Sequence, residues 1–329
     1  MKIVSISWVR NEADIIESFV RHSCTFLDRM IIVDHRSCDN TPEILERLRQ
    51  EGLPLDLRRE DSFSYKQGES LTALLRELRS DPPDLVLPLD ADEFLRTHES
   101  GTLKTILEQL PKDIPSLVPW QTYIPMPEDD PLECNVPLRI RHRKTSEVPQ
   151  WYKVIIPKTL LRKNIRLPMG SHTVIDADTG KEVEHSVASN LFLAHFPVRS
   201  ADQIAGKVFA GWLSHAADPQ KTPGSIFQWK AIFDELKSGK HIDANTLMRL
   251  ALEYGTEKQW QALPPEEKNG SSLSSLSSSE RRNAVSANIM PDPIPVNFQL
   301  KHEVKRLPPL RILLESAETL AQEVARITR

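Results

Sequence analysis

The sequence predicts an α/β chain: an open, mostly parallel sheet in the N-terminal half, a less regular α+β second half and a C-terminal helical extension. Three observations carry this. Short apolar, β-branched runs alternate with stretches of helical periodicity through the first 90 residues. Each run stops at a polar cluster, as buried parallel strands do at the loops beyond their carboxyl ends. Beyond residue 92 the alternation loosens, and strand candidates are scattered among prolines. With 329 residues, 39% hydrophobic and 27% charged, the chain has a globular composition and the length of about two folding units.

Residues 2–9, rich in Val, Ile and Trp, form the first strand and end at Arg10-Asn11-Glu12. Asn11 is placed to cap the following helix, with Asp14 in a capping-box position; Ile16, Val20, Cys24 and Leu27 repeat at helical spacing as one buried stripe. Residues 30–33 are the second strand, ending at Asp34, and Thr41-Pro42 then caps and opens the second helix. In the turn between them, Arg36 and Asn40 stand where a positive φ is expected, tolerable for Asn and costly for Arg, so the loop is expected to adopt a different turn. Residues 53–57 give a third strand, 69–79 a third helix and 85–89 a fourth strand ending at Asp90. This order implies parallel strands with right-handed crossovers.

The second half offers a helix at 103–110 and strands at 116–120, 138–141, 153–156 and 191–196. A Ser200/Gln203 capping box opens a helix to about residue 215, and another helix covers 226–237. Residues 265–300, serine-rich and then proline-rich, read as a flexible linker. The last segment, 310–327, sets Leu310, Leu313, Leu314, Leu320 and Val324 on one helical face, for docking against this chain, a second subunit or another partner.

Several function classes drop out. Lys and Arg number 42 against 46 Asp and Glu, a net charge of −4, so no overall positive field draws nucleic acid. The first of only 11 glycines is Gly52, so the opening turn cannot carry the G-x-G-x-x-G loop of a dinucleotide site. Gly206 and Gly211 have P-loop spacing, but Trp212 stands where the lysine belongs, and no G-x-S-x-G elbow occurs. Cys24, Cys38 and Cys134 form no C-x-x-C pair, which argues against a zinc knuckle or disulfide framework and suits a cytoplasmic location. No run approaches the ~18 apolar residues that span a bilayer, so any membrane contact is expected to be peripheral.

In an open parallel sheet, ligands bind beyond the carboxyl ends of the strands. There the chain places Arg10-Asn11-Glu12, Asp34-His35-Arg36-Ser37 and Asp90-Ala91-Asp92-Glu93. Asp90 and Asp92, two apart on an extended segment, can point the same way and offer hard oxygens to Mn²⁺ or Mg²⁺, leaving coordination positions for diphosphate oxygens. Such a cation offsets charge on a departing nucleoside diphosphate.

Three strings, Arg10-Asn11-Glu12-Ala13-Asp14, Ile32-Val33-Asp34-His35-Arg36-Ser37-Cys38-Asp39 and Leu87-Pro88-Leu89-Asp90-Ala91-Asp92-Glu93-Phe94, together resemble a family 2-like glycosyltransferase of GT-A fold. The resemblance is firm over residues 1–96 and extends through Tyr65-Lys66-Gln67, Gly170-Ser171-His172 and His195-Phe196-Pro197-Val198-Arg199-Ser200. It implies a Rossmann-like nucleotide-binding sheet and a nucleotide-sugar donor, with Arg10, Asn11, Glu12, Asp34, Ser37 and Asp90 as its binding residues. It implies Asp90, Asp92 and His195 as metal ligands, with His172 the runner-up to His195. His35 stands where many relatives have a second Asp, and Arg36 and Asn40 where glycine is common, which bears on nucleotide preference.

The resulting division is a catalytic domain over 1–240, with a donor half 1–96 and an acceptor half 97–240, then a helical extension 241–264, the linker 265–300 and a C-terminal amphipathic helix 301–329. The expected reaction is metal-dependent, inverting transfer of a hexosyl group to a hydroxyl of a glycan, lipid-linked or protein acceptor, as in polysaccharide biosynthesis. It needs a base for the acceptor hydroxyl, and Asp92, Glu93 and Asp129, the last in the Glu128-Asp129-Asp130 loop, are the catalytic candidates. Arg139, Arg141 and Arg143 on one strand face, with Lys144, are candidates to grip an anionic acceptor or a diphosphate, while Lys153 and Lys207 could also neutralise phosphate but read mainly as surface lysines outside the site. A non-catalytic scaffold in a glycan-assembly complex is the alternative, which an intact Asp90/Asp92 pair disfavours. A glycoside hydrolase needs its carboxyls ~5–9 Å apart across a sugar, which fits that sequence spacing less well.

Overall fold

The structure, a computed structural model, describes residues 1–216, 227–237, 242–256 and 289–305, with 317, 318 and 326. The first half alternates as expected: β1 (Ile3–Val9), α1 (Ile16–Ser23), β2 (Arg29–Asp34), α2 (Thr41–Gln50), β3 (Leu55–Arg59), α3 (Gln67–Glu77) and β4 (Leu85–Pro88). All seven residues of β1 are buried, since strands flank it on both edges and helices cover both faces. The strand order is β3-β2-β1-β4, every pair parallel. The chain turns to β2 on one side of β1 and returns to β4 on the other, so the sheet has its switch point where Arg10 and Asp90 emerge.

The second half adds β5 (Glu93–Thr97), α4 (Leu103–Glu108), β6 (Ser116–Ile124), α5 (Val136–Arg139), β7 (His142–Lys144), β8 (Tyr152–Pro157), α6 (Lys158–Leu161), β9 (Ile165–Arg166), β10 (Ile175–Asp176), β11 (Ser186–Val187) and β12 (Leu191–His195). β8 joins β4 antiparallel and β6 joins β8 antiparallel, extending the sheet as a mixed one. β12 lies antiparallel to β5 and parallel to β6, and the pairing His195↔Glu93 brings the end of β12 beside the Asp90–Glu93 segment. α7 (Ala201–Ala216), α8 (Phe227–Lys237) and α9 (Ala244–Glu253) share one apolar cluster with Ile124 and Val198, so α9 packs into the body rather than extending from it.

Several local expectations are corrected. Residues 138–141 are not a strand: Pro137 sits at the start of the short helix α5, where its missing N–H is no loss, and the alternating Leu138 and Ile140 had mimicked a period of two. Asn11 does not cap α1, which begins at Ile16 without a side-chain cap; its Oδ1 accepts from the Cys38 N–H at 2.8 Å instead. Asp14 is drawn to Arg199 rather than to a capping box. Thr41 is the first residue of α2, and its hydroxyl accepts from the Glu12 N–H at 2.9 Å. Arg36 takes the left-handed turn conformation at φ +54 while Asn40 does not, at φ −88; the Arg36 guanidinium donates to the Asp61 carbonyl at 2.7 Å. The Ser200 hydroxyl caps α7 by accepting from Gln203 N–H at 3.2 Å, and Gln203 Oε1 accepts from the Arg199 N–H rather than from Ser200.

The linker prediction is corrected where it can be seen. Residues 289–300 do not hang free: β13 (Ile289–Pro291) pairs antiparallel with β7 at the sheet edge, the one place a strand tolerates proline, and Ile294 is buried in the main core. A strap over 292–305 then crosses to α1, where the N–H groups of Lys301 and His302 donate to the Glu17 carboxylate at 2.9 and 3.0 Å. The rest of the linker and nearly all of the C-terminal helix lie outside the described residues. No helix among the described residues is long and apolar enough to cross a membrane.

Candidate active site

The carboxyl ends of β1 and β2 hold a group of buried polar atoms without protein partners: Arg10 Nε, Asn11 Nδ2, Asp34 Oδ1 and His35 Nδ1. Buried polar groups are ordinarily hydrogen-bonded, so these four atoms at the tip of a parallel sheet are candidates for contacts with a polar ligand. Local structure fixes them there. Asn11, at φ +56, presents its N–H to Ser37 Oγ at 2.9 Å, which stitches the two strand ends together. Asp34 Oδ2 accepts from the Ser37 N–H at 3.3 Å, leaving Oδ1 unspent; burial raises its carboxyl above the usual range. Arg10 reaches α7, donating to Ser214 Oγ at 2.8 Å. Beside them the rings of Trp8, His35, Tyr65 and Trp229 form a continuous series, with centroids 4.7, 6.5 and 5.5 Å apart.

Asp92 lies at the centre of the second cluster. Lys207 Nζ on α7 is 2.7 Å from Oδ2, Arg199 Nη1 is 3.7 Å from the same oxygen, and His195 Nε2 faces Oδ1 at 3.9 Å. Burial would raise the Asp92 carboxyl, but the charges of Lys207 and Arg199 hold it well below the usual range. Burial, with Lys207, Lys153 and Lys144 adding to it against Asp92, lowers His195 to about 3, so its imidazole is neutral. Arg199, with no exposed side-chain surface, meets Asp14 through Nε at 2.9 Å and Glu12 through Nη2 at 2.5 Å.

Asp90 is held differently. Its Oδ1 accepts from Gln67 at 2.9 Å and its Oδ2 from Lys153 Nζ at 2.5 Å. Lys153 also meets Glu93 Oε2 at 3.1 Å, and that oxygen accepts the Asp90 N–H at 2.9 Å. Glu93 is fully buried; burial, with Asp90 and Asp92 adding to it against Lys153, pushes its carboxyl up to about 8.

The candidates therefore separate. Asp92 and His195 come together, as do Arg10, Asn11, Asp34 and Ser37. Glu12 is turned inward on Arg199. Glu93, closed to solvent, braces the Asp90 turn and has no open path to an acceptor. Asp129 accepts from the Met126 N–H at 2.8 Å in the loop after β6, among His142, Arg139 and Glu128. His172 Nδ1 donates to the Tyr152 carbonyl at 2.7 Å, and the ring lies against Trp120 and Trp151, with centroids 5.3 and 5.2 Å away. Arg139, Arg141 and Arg143 share no strand face: Arg139 donates to the carbonyls of Glu133 and Arg199, and Arg143 to Asp292.

Lys153 and Lys207, read from sequence mainly as surface lysines, pair with Asp90 and Asp92, and Arg199 is the third, fully buried cation beside them. The usable signal was placement: Lys153 sits in an otherwise apolar strand, and Lys207 two turns into a helix opened by a capping box.

For a divalent cation, Asp92 Oδ1 and His195 Nε2 fit. Neither makes a hydrogen bond, the imidazole is neutral, and the two atoms face each other at 3.9 Å, one a hard oxygen and the other a nitrogen donor. The ion pairs fall into two groups: Glu12, Asp14 and Asp92 face Arg199 and Lys207, while Asp90 and Glu93 face Lys153, with Glu93, pushed up to about 8, mostly protonated at neutral pH. Both oxygens of Asp90 are taken by protein donors, and no three His, Cys, Asp or Glu side chains among the described residues are gathered around one point.

A family model described as glycosyl transferase family 2 matches residues 6–171. The matched stretch takes in Arg10, Asp34, Asp90, Asp92 and Lys153, while His195, Arg199 and Lys207 lie beyond it. No curated protein matches the chain. Among solved structures, the mannosyltransferase PcManGT from Pyrobaculum calidifontis, in complex with GDP-Man and Mn²⁺, aligns over 81% of this chain and 82% of its own at 14% identity and a TM-score of 0.39. Glucosyl-3-phosphoglycerate synthase from Mycobacterium tuberculosis, in complex with Mn²⁺, UDP and phosphoglyceric acid, aligns over 36% of this chain and 43% of its own at 18% identity and a TM-score of 0.26.

Proposed function

This chain belongs to glycosyl transferase family 2, and from that membership we propose that it moves a hexosyl group, with inversion and with Mn²⁺ or Mg²⁺, from a nucleoside-diphosphate sugar to a hydroxyl of a glycan, lipid-linked or protein acceptor. The observation that carries the reading is the adjacency, at the switch point of the sheet, of the unpartnered polar atoms of Arg10, Asn11 and Asp34 to the paired Asp92 and His195.

In this reading the nucleoside lies over the ends of β1 and β2. Asp34 Oδ1 accepts from an N–H or hydroxyl of the base or ribose, and Asn11 Nδ2 and Arg10 Nε donate to its acceptors. Asp92 and His195 are the residues that would hold the cation, which when bound offsets the charge developing on the leaving diphosphate. Arg199, fixed by Asp14 and Glu12, keeps the Asp92 carboxylate ionised and oriented. Gln67 and Lys153 hold Asp90, and Glu93 braces the turn between the two aspartates. Trp120, packed on His195 at 4.1 Å between ring centroids, and Trp151 line the acceptor side with faces suited to a sugar ring.

Calorimetric titration with UDP- and GDP-sugars, with and without Mn²⁺, tests the reading. Micromolar binding of at least one donor together with metal-dependent release of nucleoside diphosphate supports it. Failure of every donor to bind in the presence of metal rejects it.

A further inference from the structure

The three cations around the aspartate pair are not equivalent. Arg199 spends its guanidinium on Asp14, Glu12 and the Phe196 carbonyl, and none of its side chain meets solvent. Lys153 bridges Asp90 and Glu93 from within the sheet and is 2% exposed. Lys207 makes one hydrogen bond, to Asp92 Oδ2, and its side chain is 20% exposed. An ammonium has three N–H donors, so Lys207 has donors to spare, solvent contact and a helical backbone that need not move for its tip to swing.

We propose that Lys207 is the exchangeable cation of the donor site. Without nucleotide it occupies Asp92 Oδ2 and competes with a metal ion for that carboxylate; with donor present it passes to the diphosphate and leaves Asp92 to the metal. This rests on the family 2 reading given above, and it assigns a positioning role to a residue outside the matched stretch. Around Asp92, three carboxylates (Glu12, Asp14, Asp92) stand against two cations (Arg199, Lys207), which explains why such a residue is useful. A bare acidic cluster repels a diphosphate, whereas an ammonium that shifts its partner carries positive charge to the incoming phosphates without leaving the site. Exchange also makes nucleotide and metal binding mutually reinforcing, because each removes the other's competitor for Lys207 or Asp92.

The test measures Mn²⁺ affinity of the nucleotide-free chain by electron paramagnetic resonance, and UDP and GDP affinity at saturating Mn²⁺ by calorimetry, for wild type, Lys207→Met and Lys207→Arg. The expected result is that Lys207→Met binds Mn²⁺ about tenfold more tightly and the nucleoside diphosphate at least tenfold more weakly than wild type, while Lys207→Arg keeps most of the nucleotide affinity. Unchanged or weaker Mn²⁺ binding by Lys207→Met, or undiminished nucleotide binding, overturns the proposal. If the wild type binds neither UDP nor GDP, it is the family 2 reading of the donor that fails. The wild-type chain gives the same answer should the variant not fold: acetylation of Lys207, followed by mass spectrometry, should be slower with nucleoside diphosphate and Mn²⁺ together than with Mn²⁺ alone, and equal rates overturn the proposal.

Discussion

Arg199 and Asp14, 185 positions apart, form a two-pronged ion pair in which Nε donates to Oδ2 at 2.9 Å and Nη2 to Oδ1 at 3.0 Å. The pair ties the entry of α7 to the turn after β1, and with Glu12 as third partner it makes the floor beneath Asp92. Removing one member of a buried ion pair leaves an uncompensated charge and costs about 3–5 kcal/mol. Arg199→Met should therefore lower the urea midpoint by that amount of stability. Arg199→Lys should recover only part of it, because an ammonium cannot reproduce the planar fork. A loss below about 1 kcal/mol for Arg199→Met would mean that the pair is not closed in solution.

Asp92→Asn keeps the shape and removes the charge. It should reduce transfer by at least a thousandfold, since the carboxylate is the proposed holder of the cation and the partner of Lys207. Stability should fall by roughly 1–3 kcal/mol as well, because Asp92 is buried and its loss leaves Lys207 short of an anion. Initial rates with saturating donor, read beside a denaturation curve, separate the two effects; near-normal turnover would remove Asp92 from the mechanism.

Asp34→Asn isolates the nucleoside contact. Oδ1 has no protein partner, so the change should cost under about 1 kcal/mol of stability. A hydrogen bond to a charged group contributes roughly 1.5–3 kcal/mol, so the dissociation constant for UDP or GDP should rise about ten- to hundredfold. Equal affinities would place the nucleoside elsewhere.

Buried histidines set the acid limit of the fold. Burial lowers His35 to about 4 and His195 to about 3, from 6.5 in the unfolded chain. Below pH 6.5 the unfolded chain binds protons that the folded chain refuses, so stability falls on acidification through pH 6.5 to 4 and is regained as the pH rises. His35 alone contributes up to about 3 kcal/mol to this slope. Urea midpoints at pH 7 and pH 4.5 should differ less in His35→Asn than in wild type, whatever the variant costs at pH 7.

The donor half was readable in the sequence because its information is local. Apolar runs such as 30–33 and 85–89 have no use except as buried strands, and each ends in the polar residues of the candidate site. What escaped reading depends on distance. Nothing near Arg199 announces Asp14, and nothing near Lys207 announces Asp92; both pairs arise only when β12 and α7 are folded back on the switch point. Residues 289–300 escaped for a second reason: their prolines signal a linker, yet at a sheet edge they are compatible with a strand, and Asp292 is fixed by Tyr123 Oη and Arg143 Nε, both at 2.8 Å.

The strap that follows Asp292 has two independent moorings, which makes its release testable. At its far end the Glu17 carboxylate accepts the N–H groups of Lys301 and His302, and His302 Nε2 reaches Glu51 at 2.9 Å. At its near end Asp292 and β13 hold the sheet edge without help from Glu17. Glu17→Ala deletes the two charge-assisted hydrogen bonds to the strap, each contributing roughly 1.5–3 kcal/mol, together with the Arg21 pair on α1, and leaves the β13 end untouched. Amide exchange at 301 and 302 should therefore quicken at least tenfold, while the amides of β13 keep their protection, since local opening reports local free energy. Unchanged exchange at 301 and 302 would show that the strap is held by its other contacts, Glu51, Asn40 and the apolar Val296 and Val304, and not by the Glu17 carboxylate.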